Sequence, residues 1–203
     1  MIKIIGLTGP SGAGKTTLCK IADGFGIKSI DTDAVYHSLL LPPSPCLDEL
    51  VDEFGKQILR PDGKLDRAAL ASIVFDEMDT GRAKLTRLGE ITHKYVLEES
   101  RKIIKAADAR GEAAIIVDAP ALYESGFDKE CDIVICLLAD QRLRLNRIID
   151  RDNISEESAY ARLGSQKSDD FYSSRADHVI TNDGDASSMK ADVEKILKDR
   201  GII

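Results

Sequence analysis

The sequence predicts an α/β fold in which helices flank a doubly wound parallel sheet of about five strands. Short apolar runs alternate with longer segments of helix-forming composition over the 203 residues. Two of these runs, residues 113–117 and 133–138, are almost uninterrupted, as expected of parallel strands that are buried on both faces. A glycine-rich segment follows the first run, at residues 2–7, and opens a helical segment.

The same patterns place each element in order along the chain. The predicted strands lie at residues 2–7, 27–30, 113–117, 133–138 and 179–180. The predicted helices lie at residues 16–24, 34–41, 47–110 with a break at 61–63, 140–174 and 186–199. We interpret residues 47–110 as a helical insertion rather than a separate domain, and we find no internal repeat or low-complexity linker.

Charge and cysteine content exclude several classes of protein. With 28 basic and 35 acidic residues the net charge is -7, which argues against the broad basic surface of a nucleic-acid-binding protein. The four cysteines form no CxxC pair, so we expect buried free thiols and a reducing, cytoplasmic compartment. No apolar stretch approaches the roughly 20 residues that span a bilayer, and we expect neither an export signal nor a membrane partner.

The most specific motif is GPSGAGKT, from Gly9 to Thr16, which matches GxxxxGK[ST] at every fixed position. It follows a predicted strand and opens a predicted helix, so backbone N–H groups and the positive helix end can converge on phosphate oxygens. The glycines let the backbone approach the phosphates, Lys15 brings positive charge to the β and γ phosphates, and the Thr16 hydroxyl can bind Mg²⁺. The motif predicts the phosphate-binding loop (P-loop) of a nucleoside-triphosphate-dependent phosphotransferase rather than a glycine-rich turn that binds nothing.

Carboxylates follow two of the predicted strands. Asp31 and Asp33 flank Thr32 after the second strand, where ligands bind to parallel sheets, and would lie near the P-loop if the two strands are close neighbours. Asp33 could accept a proton from an acceptor hydroxyl, whereas helix N-capping is the simpler alternative for either aspartate. Asp118 ends the strand at 113–117, where a Walker-B-like carboxylate would bind Mg²⁺; a strand-ending aspartate in a turn is the alternative.

Five arginines occur between residues 142 and 162. They would be ordinary on a solvated helix, but in a phosphotransferase Arg147 and Arg151 could close over the donor phosphates and stabilise developing charge. The three histidines lack metal-ligand spacing, and each alone is more typical of a surface or packing residue.

Taken in order, the motifs resemble those of the dephospho-coenzyme A kinase family, nucleotide-kinase-like P-loop enzymes that phosphorylate the ribose 3′-hydroxyl of dephospho-CoA in the last step of CoA synthesis. The resemblance covers almost the whole chain, and the joint order of its pieces is specific. Besides the P-loop the pieces are GLTG at 6–9, DTD at 31–33 followed by His37, GKLDR at 63–67 followed by IVF at 73–75, ITH at 91–93, DAPALYE at 118–124, Arg147 to Arg151 with Asp152, Gln166, and ADHVITN at 176–182.

The resemblance implies a role for each candidate residue. ATP would be the phosphoryl donor, Mg²⁺ the metal ion and dephospho-CoA the acceptor, with no obligate protein partner. Asp33 would be the catalytic base, and Lys15 and Arg147 would be the other catalytic residues. Mg²⁺ would contact Thr16 and Asp118. The implied donor-binding residues are Ser11, Gly12, Ala13, Gly14, Lys15, Thr16, Thr17, Arg151 and Asn182, the last of them near the adenine. The implied acceptor-binding residues are Asp33, Arg67, His93 and Asp118.

The resemblance also implies a division of the single domain, residues 1–203. The core would comprise about 1–46, 111–139 and 176–203, the acceptor-binding insertion about 47–110 and the helical lid about 140–175. Three departures from the family pattern occur. The loop usually reads GGIGSGKS, but the glycines and lysine are kept here, so we expect phosphate binding to survive. Where the family usually has His-Pro this chain has His93-Lys94, and where it usually has Pro-Leu-Leu this chain has Pro120-Ala121-Leu122. We expect these two departures to change the acceptor pocket.

Two alternatives stay open. Another small-molecule kinase, such as a uridine or other nucleoside kinase, would keep the P-loop with a different acceptor region. A P-loop binding module or regulatory NTPase would bind or hydrolyse nucleotide without transferring phosphate to a metabolite. Against the second alternative, Asp33 has no obvious purpose in a pure binder.

Overall fold

The computed structural model describes residues 1–75, 80–182 and 184–203. These residues contain the strands β1 (Lys3–Thr8), β2 (Lys28–Asp31), β3 (Ala114–Asp118), β4 (Ile133–Leu138) and β5 (His178–Thr181). All neighbouring strands pair in parallel, in the order β2-β3-β1-β4-β5. The predicted five-stranded parallel sheet is confirmed, but β3 lies between β1 and β2, so the strand that ends at Asp31 is not the neighbour of the P-loop strand.

The helices alternate with these strands. They are α1 (Lys15–Asp23), α2 (Thr32–Leu39), α3 (Pro45–Phe54), α4 (Arg67–Val74), α5 (Thr80–Ala109), α6 (Gln141–Asp152), α7 (Glu156–Gly164), α8 (Asp169–Ser173) and α9 (Ala186–Asp199). Two compact units result, one formed by Met1–Asp31 with Ile104–Ile203 and the other by Thr32–Ile103. The first unit contains the whole sheet, and the second is helical.

The two faces of β1 show how the sheet is covered. Ile5 and Leu7 are fully buried in a core to which α1 and α9 also contribute. Gly6, which points to the opposite face, lies against the segment after β3, because a Cβ there would come 2.9 Å from Cys131 Sγ and 3.0 Å from Leu122 Cδ2. Burying an aliphatic side chain of this size contributes about 2 kcal/mol, so apolar side chains on β1 fix the strand that leads into the P-loop.

Polar residues set most helix starts. A side-chain oxygen directly before the helix accepts a backbone N–H of the first turn at Ser44 for α3, Asp66 for α4, Asp140 for α6, Ser155 for α7, Ser168 for α8 and Asp185 for α9. Because Ser155 and Ser168 start new helices, the predicted helical region 140–174 consists of three helices rather than one continuous segment. Within it, α6 ends at Asn153, which has a left-handed backbone.

The insertion is less continuously helical than predicted. Gly55, at φ 86°, ends α3, and a 3₁₀ turn at Lys56–Ile58 follows. Leu59 and Leu65 then form an isolated antiparallel bridge around the turn at residues 61–63, so the break spans the whole interval between α3 and α4. Residues 76–79 of the predicted insertion lie outside the described residues.

The second unit has a hydrophobic core of its own. Leu50 of α3, Leu70 of α4 and Ile91 of α5 are buried together, with Ile58 of the 3₁₀ turn among them. Among the described residues, no helix combines the length and apolar character that crossing a membrane requires. The four cysteines are free, as predicted, and all but Cys131 are buried.

Candidate active site

The P-loop lies between the C-terminal end of β1 and the N-terminal end of α1. Gly14 directly precedes α1 with a left-handed backbone, and no side chain caps the helix. The first turn of α1 also contains no acidic residue, so the positive end of the helix dipole is not neutralised there. Thr16 and Thr17 are exposed in this turn. The arrangement is the one that binds phosphate at helix N-termini.

Two loop glycines are required by geometry. Gly12 and Gly14 have φ angles of +78° and +103°, which residues with a side chain rarely adopt. A Cβ on Gly12 would lie 2.7 Å from the carbonyl oxygen of Arg144 in α6. A Cβ on Gly14 would lie 2.3 Å from Nδ2 of Asn182. The loop therefore packs tightly against α6 on one side and the residue after β5 on the other.

Lys15, the lysine of the GxxxxGK[ST] motif, folds back over its own loop. Its Nζ donates to the carbonyl oxygen of Gly9 at 2.8 Å and to that of Pro10 at 3.3 Å. Lys15 is half-buried, and its ammonium lies against the loop, where it can place positive charge beside a bound phosphate.

Arg147 and Asn182 hold the middle of the loop. The guanidinium of Arg147, on α6, donates to the carbonyl oxygen of Gly12 at 3.1 Å and to Oδ1 of Asn182 at 3.5 Å. Buried Asn182 donates through Nδ2 to the carbonyl oxygen of Ala13 at 2.7 Å. Its Oδ1 also accepts the N–H of Gly184 at 3.2 Å. Both amide ends of Asn182 therefore hold backbone in place, a structural function that its implied position near the adenine did not suggest.

Three other arginines of this region form two kinds of contact. Arg151 donates to the hydroxyl of Ser11 at 3.4 Å, while its Nε binds Asp152 at 2.8 Å. Asp152 also pairs with Arg162 of α7, and its pKa is lowered, chiefly by the hydrogen bond from Arg151. Arg144, in contrast, is buried and forms an ion pair with Asp169 of α8 at 3.0 Å. Arg147 and Arg151 thus contact the loop, whereas Arg144 and Arg162 join helices to each other.

Two carboxylates lie side by side at the edge of the sheet from which the loop emerges. Asp118 is in register with Leu7 of β1, and the N–H of Ala119 donates to the carbonyl oxygen of Leu7 at 3.0 Å. Asp31, at the end of β2, is in register with Asp118. Both carboxylates raise the pKa of Cys19 in α1, to about 11, although burial of the thiol is the larger cause. Asp118 is therefore the carboxylate on the strand adjacent to the P-loop.

The donor groups at this edge suit a magnesium ion. Within the described parts of the chain, no three His, Cys, Asp or Glu side chains are grouped as ligands for a metal. Mg²⁺ does not require such a cage, because it keeps several water molecules and binds through one or two protein oxygens together with phosphate oxygens. The Thr16 hydroxyl and the Asp118 carboxylate are oxygen donors of this kind.

In the second unit, the predicted acceptor residues lie on the helices. Asp33 is the second residue of α2 and is exposed. Because α2 starts at Thr32 rather than at the predicted Ala34, Asp31 and not Asp33 directly precedes the helix. Arg67, the first residue of α4, places Nη2 2.8 Å from Nδ1 of His37. The structure therefore brings Arg67 together with His37, another residue of the family motifs.

The departure at His93-Lys94 has a structural explanation. Lys94, on α5, forms an ion pair with Glu49 of α3 and lies 4.4 Å from the ring centroid of Tyr95. The hydroxyl of Tyr95 donates to the same carboxylate at 2.7 Å. These contacts join α5 to α3 inside the second unit. His93 itself is half-buried.

One residue of the donor region received no role from the sequence. Gln166, which follows α7, accepts the backbone N–H of Ser11 in the P-loop at 2.8 Å through Oε1. The two residues are 155 positions apart, so no local pattern indicates this contact. Its membership in the family motifs was the only signal.

The chain is similar in sequence to known proteins of one family. The family model described as dephospho-CoA kinase matches residues 3–188. A dephospho-CoA kinase of Symbiobacterium thermophilum is 39% identical over 193 residues, which is 95% of this chain and 79% of the relative. One from Bacillus cereus is 34% identical over 203 residues and covers 100% of both chains.

Solved structures are similar over nearly the whole chain. The protein TT1252 from Thermus thermophilus has a TM-score of 0.78 and 26% identity, covering 98% of this chain and 97% of that one. The dephospho-CoA kinase from Campylobacter jejuni has a TM-score of 0.69 and 28% identity, with 100% of both chains covered. The shikimate kinase from Acinetobacter baumannii, at 20% identity and a TM-score of 0.50, shares the fold alone. The chain belongs to the dephospho-CoA kinase family.

Proposed function

We propose that the protein transfers the γ-phosphoryl group of ATP to the ribose 3′-hydroxyl of dephospho-CoA, giving CoA and ADP. The P-loop with its uncapped helix end is the observation that carries the donor half of this proposal. Membership of the family supports the acceptor half. The protein is accordingly a kinase that acts on a small molecule.

Residues of the first unit bind the donor. Residues 11–17 surround the ATP phosphates, with the backbone N–H groups of residues 12–17 as donors because that of Ser11 is held by Gln166, and Lys15 neutralises charge at the β and γ phosphates. Arg147 and Arg151 serve as lid residues that stabilise charge developing during transfer. Their contacts with Gly12 and Ser11 support this function, because they already place both guanidinium groups against the loop. We also propose, as the family resemblance implies, that Asn182 lies near the adenine of ATP.

Thr16 and Asp118 would hold Mg²⁺. When bound with ATP, the ion would neutralise charge on the phosphate oxygens. Asp118 is suited to this by its place on the strand beside β1, at the edge where the loop begins. Asp31, its register partner, is the second carboxylate at this edge.

Asp33 acts as the general base. Its carboxylate accepts the proton of the ribose 3′-hydroxyl as that oxygen bonds to the γ-phosphorus, and the bond from the γ-phosphorus to the bridging oxygen breaks to release ADP. The exposed position of Asp33 in the first turn of α2 supports this assignment over a buried structural role. If Asp33 is not the base, Asp31 is the first candidate to replace it.

The second unit supplies the acceptor site. Arg67 and His93 contact dephospho-CoA, and Arg67 offers a guanidinium that suits the phosphate groups of this acceptor. We retain the division into a core, an acceptor-binding insertion and a helical lid, and a cytoplasmic location, as parts of the proposal. The free cysteines support a reducing compartment.

A coupled ADP-release assay with Mg²⁺ and ATP tests the proposal. Dephospho-CoA is compared with adenosine, uridine, cytidine and no acceptor, and the product mass is measured. We expect stimulation by dephospho-CoA alone and a product heavier by one phosphate group. Stimulation by a nucleoside instead would retain the chemistry and change the substrate, whereas acceptor-independent hydrolysis would favour a regulatory NTPase.

A further inference from the structure

Gln166 connects the segment after α7 with the P-loop. Its Oε1 accepts the backbone N–H of Ser11 at 2.8 Å, and its Nε2 donates to the carbonyl oxygen of Arg162, near the end of α7, at 3.2 Å. Its own N–H donates to the carbonyl oxygen of Leu163 at 3.2 Å. The side chain therefore starts from a backbone position that α7 fixes, and ends on the loop.

The orientation of this amide follows from its partners. A backbone N–H can only donate and a carbonyl oxygen can only accept, so Ser11 must face the oxygen of Gln166 and Arg162 must face the nitrogen. Reversing the amide would place donor against donor and acceptor against acceptor. The half-buried side chain thus has one favourable orientation, in which its oxygen is directed at the loop.

Arg151 contacts the same loop residue from α6. Its Nη2 lies 3.4 Å from the Ser11 hydroxyl, and Asp152 binds both Arg151 and Arg162. Ser11 is therefore held through its hydroxyl by Arg151 of α6 and through its backbone by Gln166, two residues after the end of α7. The two helices are joined behind it by the Asp152 ion pairs, so Gln166 belongs to a closed network.

We propose that Gln166 is a positioning residue for the kinase reaction: it fixes the Ser11 peptide of the P-loop and thereby prepares the loop for the phosphates of ATP. The inference rests on the proposed function for the identity of the reaction. The effect of Gln166 on nucleotide binding does not depend on that function. Without the glutamine, the Ser11 peptide gains rotational freedom that ATP must remove on binding. The defect is expected on the ATP side of the reaction, because the contact is with the donor loop.

Two variants separate hydrogen bonding from packing. Gln166→Ala removes both the shape and the hydrogen bonds, whereas Gln166→Met keeps a side chain of similar length without them. We expect both variants to raise the Kd for a fluorescent ATP analogue and the KM for ATP by about three- to tenfold, the range for losing one neutral hydrogen bond. The KM for dephospho-CoA should change by less than about twofold, because the lost contact is with the donor loop.

Ser165→Ala is the matched control. Ser165 Oγ donates to the same carbonyl oxygen of Arg162, at 2.9 Å, so its loss tests whether disturbing the end of α7 is enough to weaken ATP binding. We expect wild-type affinity for ATP in this variant. Thermal melting of all three variants checks the fold, and a Gln166→Met protein that melts like the wild type keeps the test valid if Gln166→Ala is unstable.

Wild-type ATP affinity in Gln166→Ala, or full recovery in Gln166→Met, would overturn the proposal, and so would an equal defect in Ser165→Ala. An equal rise in the KM values for both substrates would also overturn it. If the wild-type protein binds the ATP analogue but does not phosphorylate dephospho-CoA, the proposed function fails while the affinities still decide the role of Gln166.

Discussion

The donor region and the second unit differ in the kind of polar contact that stabilises each of them. Around the P-loop, side chains from distant segments bind main-chain atoms: Asn182 binds Ala13, Arg147 binds Gly12, and Gln166 binds Ser11. In the second unit, the described long-range contacts of Arg67 with His37, Lys94 with Glu49 and Arg87 with Glu53 join side chain to side chain.

Because of this difference, we expect substitutions to have different effects in the two regions. A main-chain partner persists when its own side chain is replaced, so the donor loop constrains backbone conformation and glycine position most strongly. Side-chain pairs on exposed helix faces tolerate substitution better, because each exposed pair contributes little to the free energy of unfolding. We therefore expect substitutions in the donor region to have larger effects than most substitutions in the second unit, with Asp33 as the exception.

Lys15→Ala should have the largest effect. Removing the ammonium removes charge stabilisation at the transferring phosphoryl group, and we expect kcat to fall by about a thousandfold. ADP release with dephospho-CoA present measures the loss. Lys20→Ala, on the exposed side of the same helix, is the control and should retain wild-type turnover. A Lys15→Ala enzyme with near-normal kcat would remove the catalytic assignment of the P-loop lysine.

Asp33→Asn tests the exception in the second unit. The amide is nearly isosteric but cannot accept the hydroxyl proton, so we expect kcat to fall by about a hundredfold or more while the KM for ATP stays within about threefold. Asp48→Asn is the matched control, because Asp48 is also exposed in the first turn of a helix, α3. Wild-type turnover in Asp33→Asn would transfer the base function elsewhere, and Asp31→Asn would then be measured first.

A pair of glycine substitutions compares the regions directly. Gly14 and Gly63 both have positive φ, at +103° and +79°, so alanine strains the backbone at each by about 1 kcal/mol. At Gly63, no described residue beyond its two chain neighbours places a heavy atom within 4 Å of the added Cβ, whereas at Gly14 the Cβ would displace the amide of Asn182. We expect Gly14→Ala to be destabilised by about 3 kcal/mol in total, and to bind ATP weakly.

Denaturant unfolding of both glycine variants, with and without ATP, measures this difference. ATP should stabilise Gly63→Ala as much as the wild type, because Gly63 lies in the second unit and is not among the proposed donor-binding residues. Equal stability of the two variants would show that packing around Gly14 contributes nothing beyond its backbone angle.

The contrast also explains which features the sequence could predict. The P-loop, the five strands and the C-terminal helix were predictable, because glycine spacing and apolar periodicity are local signals. The helix at 186–199 agrees with α9 at both ends. Asp118 could be placed at a strand end, but its position beside β1 depends on strand order, which the sequence left open.

What the sequence could not predict depends on contacts between distant residues. The pairing of Ser11 with Gln166 and of Ala13 with Asn182 joins segments more than 150 residues apart, and no periodic pattern encodes such pairs. The turn around Leu59 and Leu65 was predicted as helix because its flanking residues have helix-forming composition, and only Pro61-Asp62-Gly63 marked the break. Arg144 was indistinguishable from Arg147 by composition, although one is buried against Asp169 and the other contacts the loop.

Lys94→Ala should have the smallest effect. The ammonium is paired with Glu49, so we expect the KM for dephospho-CoA to change by less than about twofold, because losing an exposed ion pair has a small effect. The melting temperature at neutral pH should fall slightly. A large rise in this KM, with an unchanged KM for ATP, would instead place Lys94 in the acceptor site.

The pH dependence of that small change identifies its cause. The pKa of Glu49 is lowered from 4.5, chiefly by the hydrogen bond from Lys94 and then by that from Tyr95. A lowered pKa in the folded state stabilises the protein above the unfolded value of 4.5, and this contribution is lost as the pH falls through the folded pKa. The melting temperatures of wild type and Lys94→Ala should therefore differ at neutral pH and converge in acid. A difference that persists after Glu49 is protonated would show that the Lys94 stem stabilises the unit through packing on Tyr95 rather than through its charge.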